Sequence, residues 1–514
     1  MKKILKPKYI NDTALDILRR EGVFLCADCG GRGTCGKCRI KVSDSEKLPP
    51  VMDAEKAILS DSEIAEGVRL ACCLKIGELQ RAEQESEDGI VVEIPERSLL
   101  HDASDDEAVI SKLETIRPAE IIAVDYGSTM IMGALVDLNL GVTREASVIN
   151  HQKSYGADVI SRIRAANDGY HEELRHVSEE DIAELTVRLG RDPENARYII
   201  SGNTVMGHII SGFSCKGLGE YPYTPVDISL RRDGSMTFLP GISAFVGADI
   251  VSGICACSLD QAPEPWLYVD IGTNGEMALG TGRKIFAASA PAGPAFEGGG
   301  LSCGMPAVHG AVSGVVLAGS KPIPSIVENS EADETDDSMT ENGRQSGSRN
   351  QHPAGICGSG VIDLVAELFR NRLIDENGTL AGEYEDEGFP VAGDVLVTQK
   401  DIREIQKAKS AIRAGIEVLI EKSSVRAEDI KKLVIAGSFG SSINMDNAAK
   451  IGLIPEELLP VSATAGNASL TGATLYALDT GFGARLQKVA GSAETVDLAE
   501  MPGFGTKYIR YMGF

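Results

Sequence analysis

The chain has 514 residues, 43% of them hydrophobic, and a formal net charge of −25. That length suits two to four domains with sizeable cores, and the charge argues against nucleic acid as a partner, since phosphate backbones want Lys and Arg clusters. No apolar run reaches the ~18 residues of a membrane span; the basic start Met1–Pro7 has no apolar stretch behind it and is not read as a secretory signal, and eleven cysteines without such a signal suit a reducing cytoplasm.

Residues 11–22 read as a capped helix, with Leu15, Ile17 and Leu18 on one side and Gly22 as its stop. Next comes Cys29-Gly-Gly-Arg-Gly-Thr-Cys35-Gly-Lys-Cys38, three cysteines in a loop whose glycines let the backbone curl around one object. A further thiol follows in Arg69-Leu-Ala-Cys72. Three clustered cysteines and one distant cysteine are the layout of a ferredoxin-type [2Fe–2S] site, here with one residue more in the first gap than the plant-type spacing. Four thiolates also suit zinc, although zinc sites usually draw on two short C-x2-C pairs and only one is present. Cys26 and Cys73 flank the set as ordinary thiols, and Cys73 competes with Cys72 for the fourth position. Arg39–Val42 reads as a strand leaving the loop, and Gly89–Ile94 as a closing strand that ends at Pro95. Helix, loop and strands fit a ferredoxin β-grasp over 1–95. Such folds open on a β-hairpin, and so few residues precede this helix that the hairpin is expected to be truncated or irregular.

Residues 96–118 are polar and acidic and read as a linker. Beyond them lies an internal duplication. The apolar strand Ile121–Val124 runs into Asp125-Tyr-Gly127-Ser-Thr129 and a second strand, Ile131–Val136. The pattern returns as Leu267-Tyr-Val-Asp270-Ile-Gly272-Thr-Asn-Gly-Glu276, then Met277–Leu279. Each half also carries a strand entering a small-residue turn, Tyr198–Gly202 before Asn203 and Leu433–Ala436 before Gly437. Two similar α/β lobes, 119–265 and 266–514, are therefore expected to build a cleft. Residues 326–353, with seven acidic residues against two arginines, read as a disordered surface insertion.

At an Asp-x-Gly-(Ser/Thr) tip the glycine admits phosphate oxygens to the backbone amides, and the hydroxyl adds a donor. Asp125 with Gly127, Ser128 and Thr129, and Asp270 with Gly272, Thr273 and Asn274, are the candidate phosphate clamps. Asp125 and Asp270 are the candidate Mg²⁺ holders, largely through water. Gly437, Ser438 and Phe439 suit an adenosine turn, and Asn203 in the matching turn of the first half is a further nucleotide candidate. Gly358 and Ser359, opening a helix at 361–368, suit an anion or ribose, with plain helix capping as the alternative. Asp249 is the candidate base for water, against the alternative of a helix cap, and Glu276 is the second candidate. His208 and His309 are read as structural.

The cysteine loop resembles that of adrenodoxin-like ferredoxins, and the two tips with the adenosine turn resemble the ASKHA superfamily of actin, sugar kinases and the heat-shock chaperone ATPase. Together with Arg69–Cys72, Gly156–Arg162, Ser201–Thr204, Gly247–Asp249, Gly293–Glu297 and Gly355–Gly360, nearly the whole chain resembles the ferredoxin-fused ATPases that reductively activate corrinoid proteins. The resemblance implies an α+β β-grasp domain followed by a two-lobed actin-like ATPase with duplicated ribonuclease-H-like lobes. It implies a [2Fe–2S] cluster on Cys29, Cys35, Cys38 and Cys72, and Mg²⁺ and ATP in the cleft. It also implies one-electron reduction of Co(II) to Co(I) in a corrinoid-binding protein of a methyltransferase system, fed by a low-potential electron donor; whether the chain forms a homodimer is open. The rival readings are an ASKHA small-molecule kinase with a fused redox-sensing ferredoxin, and an electron carrier whose ATPase half has decayed.

Overall fold

Thr13 starts the first helix with a reciprocal cap: its hydroxyl accepts from the Asp16 amide, and the Asp16 carboxylate accepts from the Thr13 amide at 3.1 Å. This helix, α1 (Ala14–Arg20), turns Leu15, Ile17 and Leu18 into a core shared with Leu5, Leu25, Ile40, Leu70 and Val92. The computed structural model describes residues 1–9, 11–43, 48–76, 89–100, 113–327, 353–437 and 443–514. The acidic insertion therefore lies almost wholly outside the described residues, as does half of the linker. The chain divides into two compact units, one of Met1–Asp105, Val109–Tyr198 and Thr204–Asp227, the other chiefly of Ile199–Asn203 and Ile228–Phe514.

In the first unit, β1 (Lys2–Leu5), β2 (Arg39–Val42), β3 (Val68–Leu70) and β4 (Ile90–Glu93) form a sheet in the order β1-β4-β2-β3. The expected opening hairpin is a single strand. Its partner is the distant closing strand, Lys2 opposite Glu93 through Leu5 opposite Ile90. Among the described residues no second strand follows β1 before the helix: the Asp12 carboxylate takes the amides of Lys8 and Tyr9 at 2.7 and 2.8 Å, turning the chain into the helix. Two short helices, α2 (Asp53–Lys56) and α3 (Asp61–Ala65), lie between β2 and β3. Glu55 of α2, fully buried, pairs with Arg69 of β3 at 2.7 Å and accepts the Leu70 amide at 3.0 Å.

The same unit holds an antiparallel meander of β5 (Glu120–Tyr126), β6 (Met130–Asp137) and β7 (Gly141–Ile149), with Asp125 opposite Met132. It also holds α4 (Val159–Ala165) and α5 (His171–Arg188). Glu120 pins the chain after α5 by a bidentate pair with Arg191 at 3.0 and 2.8 Å. The short strand β8 (Tyr198–Gly202) then gives way to α6 (Thr204–Ile210) and α7 (Lys216–Gly219).

In the second unit, β8 lies in order with β9 (Arg231–Asp233) and β10 (Met236–Phe238) as β8-β10-β9. After α8 (Ala248–Ala256) a second antiparallel meander follows: β11 (Trp266–Ile271), β12 (Gly275–Gly280) and β13 (Ile285–Ala290). Here Asp270 stands opposite Glu276. The duplicated hairpins expected from the apolar runs are thus both present, each with its aspartate near the tip. Next come β14 (Ala311–Ala318), β15 (Lys321–Ile326), β16 (Gly355–Ile356), α9 (Gly358–Arg370), α10 (Tyr384–Glu387), β17 (Phe389–Ala392), β18 (Val395–Val397) and α11 (Gln399–Ser423). A strand, β19 (Lys432–Ala436), runs parallel to β11, and beyond α12 (Met445–Lys450) the strand β20 (Ser462–Gly466) runs parallel to β19. The chain closes with α13 (Ala468–Leu478), α14 (Phe482–Ser492), β21 (Glu494–Thr495) and α15 (Phe504–Arg510), giving the sheet order β20-β19-β11-β12-β13-β21. α9 and α11 bury Val361, Leu364, Ile405, Ile412 and Ile416 against Leu267, Val269 and Met277. On the other side α8 and α13 approach closely, since a Cβ on Gly472 would meet the Cβ of Ser252 at 2.5 Å.

Candidate cluster and nucleotide sites

The four expected thiols stand in two close pairs, and none is in a disulfide. Cys38 Sγ lies 3.4 Å from Cys72 Sγ. Cys29 pairs with Cys35; that bond, working against burial and joined by the Thr34 and Cys35 amides, brings Cys29 down to about 4. The same bond pushes Cys35 up, while the contact with Cys72 draws Cys38 down. Cys73 Sγ is farther from Cys72 Sγ, at 3.9 Å. Cys26 points elsewhere: its thiol donates to the Leu99 carbonyl, and burial pushes it up. Soft sulfur donors in two close pairs, enclosed by a loop of small residues, fit a [2Fe–2S] cluster. Beside them a half-buried ion pair joins Lys37 Nζ to Asp28 Oδ2 at 2.6 Å.

The first phosphate tip is held from behind. The Gly127 carbonyl accepts from Asn150 Nδ2 at 2.8 Å, the Thr129 carbonyl from the Asn150 amide at 3.0 Å, and the Ser128 carbonyl from Arg162 Nη2. In a trans peptide the N–H opposes the C=O. Tying these carbonyls back therefore turns the following amides, Ser128, Thr129 and Met130, to the other side, as a phosphate cradle needs.

In the second unit the tip Ile271–Gly275 gathers carboxylates. Glu276 is pushed well above the usual carboxylate range, first by burial, then by Asp249 and Asp270, with Glu297 adding and Asn274 opposing. Asp270 Oδ2 accepts from Tyr268 Oη at 3.0 Å, and Glu297 Oε2 from the Thr273 hydroxyl. Asp249 lies in the first turn of α8, which starts at Gly247 without a side-chain cap, and its Oδ1 accepts the Ile250 amide at 2.9 Å. Clustered carboxylates of one sign ask for a cation, and hard oxygen donors fit Mg²⁺. The turn expected to admit adenosine reaches this tip through Gly437. Gly437 has φ +120°, and a Cβ there would meet the Ile271 carbonyl at 2.5 Å and Asp270 Oδ1 at 3.3 Å.

Gly358 packs on the Phe296 backbone beside Glu297, whereas the Ser359 hydroxyl donates to the Ser313 carbonyl at 2.8 Å. Asn203 directly follows β8. Ser438 and Phe439 lie outside the described residues. His208 is buried and hydrogen-bonded at both ring nitrogens, to the Thr204 carbonyl at 2.8 Å and the Val226 amide at 2.9 Å, as a structural histidine should be. His309 is exposed. Tyr268 and Glu297 were not foreseen as site residues. The glycine-rich run Gly293–Glu297 was the available signal for Glu297, while Tyr268 is one apolar strand residue among others in sequence.

Three family profiles match in succession: "2Fe-2S iron-sulfur cluster binding domain" over residues 9–77, "RACo middle region" over 121–262, and "C-terminal domain of RACo the ASKHA domain" over 264–514. The chain is 31% identical over 443 residues to the corrinoid activation enzyme RamQ of Eubacterium limosum, covering 77% of this chain and 70% of that one. It is 27% identical to the [Co(II) methylated amine-specific corrinoid protein] reductase of Methanosarcina barkeri, covering 65% of each. Among solved structures it resembles a reductive activator for corrinoid, iron-sulfur protein, with a TM-score of 0.67 at 24% identity, covering 100% of this chain and 98% of that one. That likeness supports the fold: a 2Fe–2S ferredoxin domain ahead of an ASKHA body.

Proposed function

Because this chain belongs to the RACo family of corrinoid activation enzymes, we propose that it reduces the Co(II) of a corrinoid protein to Co(I), one electron per event, coupled to hydrolysis of ATP. The observation that carries this reading is the convergence of Cys29, Cys35, Cys38 and Cys72 in a chain that also bears two phosphate-tip hairpins. Held by those four sulfurs, a [2Fe–2S] cluster supplies a one-electron store, filled by a low-potential donor.

The nucleotide site divides its work among named residues. The amides after Gly127 and Gly272 hold phosphate oxygens, with Ser128, Thr129, Thr273 and Asn274 adding donors. Asp125 and Asp270 hold Mg²⁺, mainly through water. Gly437, Ser438 and Phe439 admit the adenosine, with Asn203, Gly358 and Ser359 as further nucleotide contacts. Burial favours the neutral form of Glu276, so the proton of the attacking water goes to Asp249 while Glu276 orients the water. Hydrolysis drives reduction only insofar as the nucleotide binds two states of the corrinoid complex unequally. Such chemistry belongs in a reducing cytoplasm.

The test follows Co(I) absorbance anaerobically after reduced protein is mixed with a Co(II) corrinoid protein, with and without Mg-ATP. Co(I) should form only with nucleotide and not with Cys72→Ser. Equal Co(I) without nucleotide overturns the coupling.

A further inference from the structure

The stretch Gly156-Ala-Asp-Val-Ile-Ser-Arg162 stands out in the sequence, yet it supplies none of the expected cluster ligands or nucleotide contacts. Its place in the first unit gives it a role. At one end the Ala157 amide donates to the Asp28 carbonyl at 3.1 Å, on the residue just before Cys29. The adjoining Tyr155 carbonyl sits so close to Gly30, between Cys29 and Cys35, that a Cβ there would lie 2.6 Å from it. Arg19 of α1 stacks its guanidinium 4.1 Å over the Tyr155 ring and donates from Nε to Ser154 Oγ at 3.1 Å. Asp16 of the same helix accepts the Tyr170 hydroxyl at 3.2 Å, and the Phe24 ring lies 4.8 Å from that of His151. Helix and cluster loop are thus fastened together to residues 151–170.

At its other end the same stretch holds the first phosphate tip. Arg162 has no exposed surface; it donates from Nε to the Gly156 carbonyl at 3.0 Å and from Nη2 to the Ser128 carbonyl. Asn150 takes the carbonyls of Gly127 and Thr129. One short, hydrogen-bonded segment therefore spans from the cluster loop to the loop expected to grip phosphate. Arg162 ties its two ends through a single rigid guanidinium.

We propose that residues Asn150–Arg162 act as a strut that transmits nucleotide occupancy at Gly127–Thr129 to the cluster loop at Asp28–Gly31, with Asn150, Tyr155 and Arg162 as positioning residues. The inference rests on the cluster and nucleotide assignments of the preceding section. When phosphate draws the tip amides forward, the carbonyls held by Asn150 and Arg162 shift with them. The Tyr155–Ala157 backbone then moves against Asp28 and Gly30, altering the amide and charge environment of the sulfurs. Reduction potentials of such clusters respond to that environment.

Coupling of this kind is reciprocal, so nucleotide affinity must differ between the oxidised and reduced protein. An affinity difference of about tenfold, within the usual range for linked sites, equals a cluster potential shift of ~59 mV. The experiment is an anaerobic potentiometric titration of the full cluster-loaded chain, read by electron paramagnetic resonance, with and without a non-hydrolysable Mg-ATP analogue. Calorimetry of the oxidised form checks binding. The wild type should show the shift. Arg19→Met, and separately Ser154→Ala with Tyr170→Phe, should keep the cluster signal and the oxidised-state affinity but reduce the shift to less than a third. The second pair leaves the ferredoxin sequence untouched, so one variant that fails to fold does not decide the matter. A wild type with both ligands bound and no shift, or an undiminished shift in the folded variants, overturns the strut alone. Absence of either ligand from the wild type overturns the preceding assignments, and the strut with them.

Discussion

Replacing Glu55 by Gln should unmake the scaffold behind Cys72. Glu55 is fully buried and accepts four hydrogen bonds: Arg69 Nε at 2.8 Å, Arg69 Nη2 at 2.7 Å, and the amides of Leu70 and Met52 at 3.0 Å each. Glutamine keeps the shape but leaves the Arg69 guanidinium, 2% exposed, without its counter-charge. Breaking one side of such a buried pair costs about 3–5 kcal/mol. With a urea slope of about 2 kcal/mol per molar for a small domain, the midpoint should fall by roughly 2 M. The assay is urea unfolding of the full cluster-loaded chain under anaerobic conditions, followed by visible circular dichroism of the cluster. Replacing both partners by methionine removes the charges together and should restore most of the loss. Burial pushes the Glu55 carboxyl up, but Arg69 and the two amides outweigh it and hold the group below the ordinary range. Its stabilisation is therefore complete above about pH 4.3 and fades as the pH falls through the lowered folded value. The gap between wild type and Glu55→Gln, read by hydrogen exchange of Arg69–Ile76 in cluster-free chain, should narrow below about pH 4.3. A midpoint change under about 0.5 M, or a double variant no better than the single one, would refute the reasoning.

Cys72→Ser should lose the iron that Cys26→Ser retains, measured as iron and acid-labile sulfide per chain; loss in Cys73→Ser with retention in Cys72→Ser would reverse the assignment. Asp270→Ala should lower Mg-dependent ATP hydrolysis by at least about 100-fold without lowering the thermal midpoint, because its carboxylate holds the ion and relieves no core strain. Asp249→Asn should keep nucleotide affinity by calorimetry while hydrolysis falls by a similar factor, whereas a parallel loss of binding would make Asp249 a ligand and not a base. Gly437→Ala should weaken nucleotide binding at least tenfold, since the new Cβ meets the Ile271 carbonyl at 2.5 Å at a backbone φ of +120°.

What the sequence made legible were the features with a local period or spacing. The strand Arg39–Val42 falls where the apolar alternation put it, and the hairpins around Asp125 and Asp270 fall where the apolar runs did. The cysteine spacing likewise singled out the thiols that stand in two close pairs, Cys29 with Cys35 and Cys38 with Cys72. What stayed hidden depends on long-range contact. β1 reads as too little chain for a hairpin until its distant partner β4, with Lys2 opposite Glu93 and Leu5 opposite Ile90, is known. Glu55 and Arg69 look like surface charges, and only their mutual burial shows otherwise. Arg162 sits in a conspicuous stretch, but nothing in its neighbours says that its guanidinium reaches the Ser128 carbonyl. Glu297 is hidden in the same way, because its partner Thr273 lies 24 residues back, at the tip of a hairpin.

The fit of Gly30 beneath the Tyr155 carbonyl bears on how such chains can be recombined. A free-standing ferredoxin grafted in place of the first 95 residues would have to present a bare backbone at that point and an exposed carbonyl at the residue before its first cysteine. It would also need a long cation on its helix to lie over Tyr155. Lacking these, it would leave the Ala157 amide without the Asp28 carbonyl it now meets and a tyrosine face open to water. Such a graft would carry its cluster and still be a lodger in the chain, free to trade electrons but mechanically deaf to the nucleotide. A replacement module that is to keep the proposed coupling would have to bring the glycine and the arginine with it.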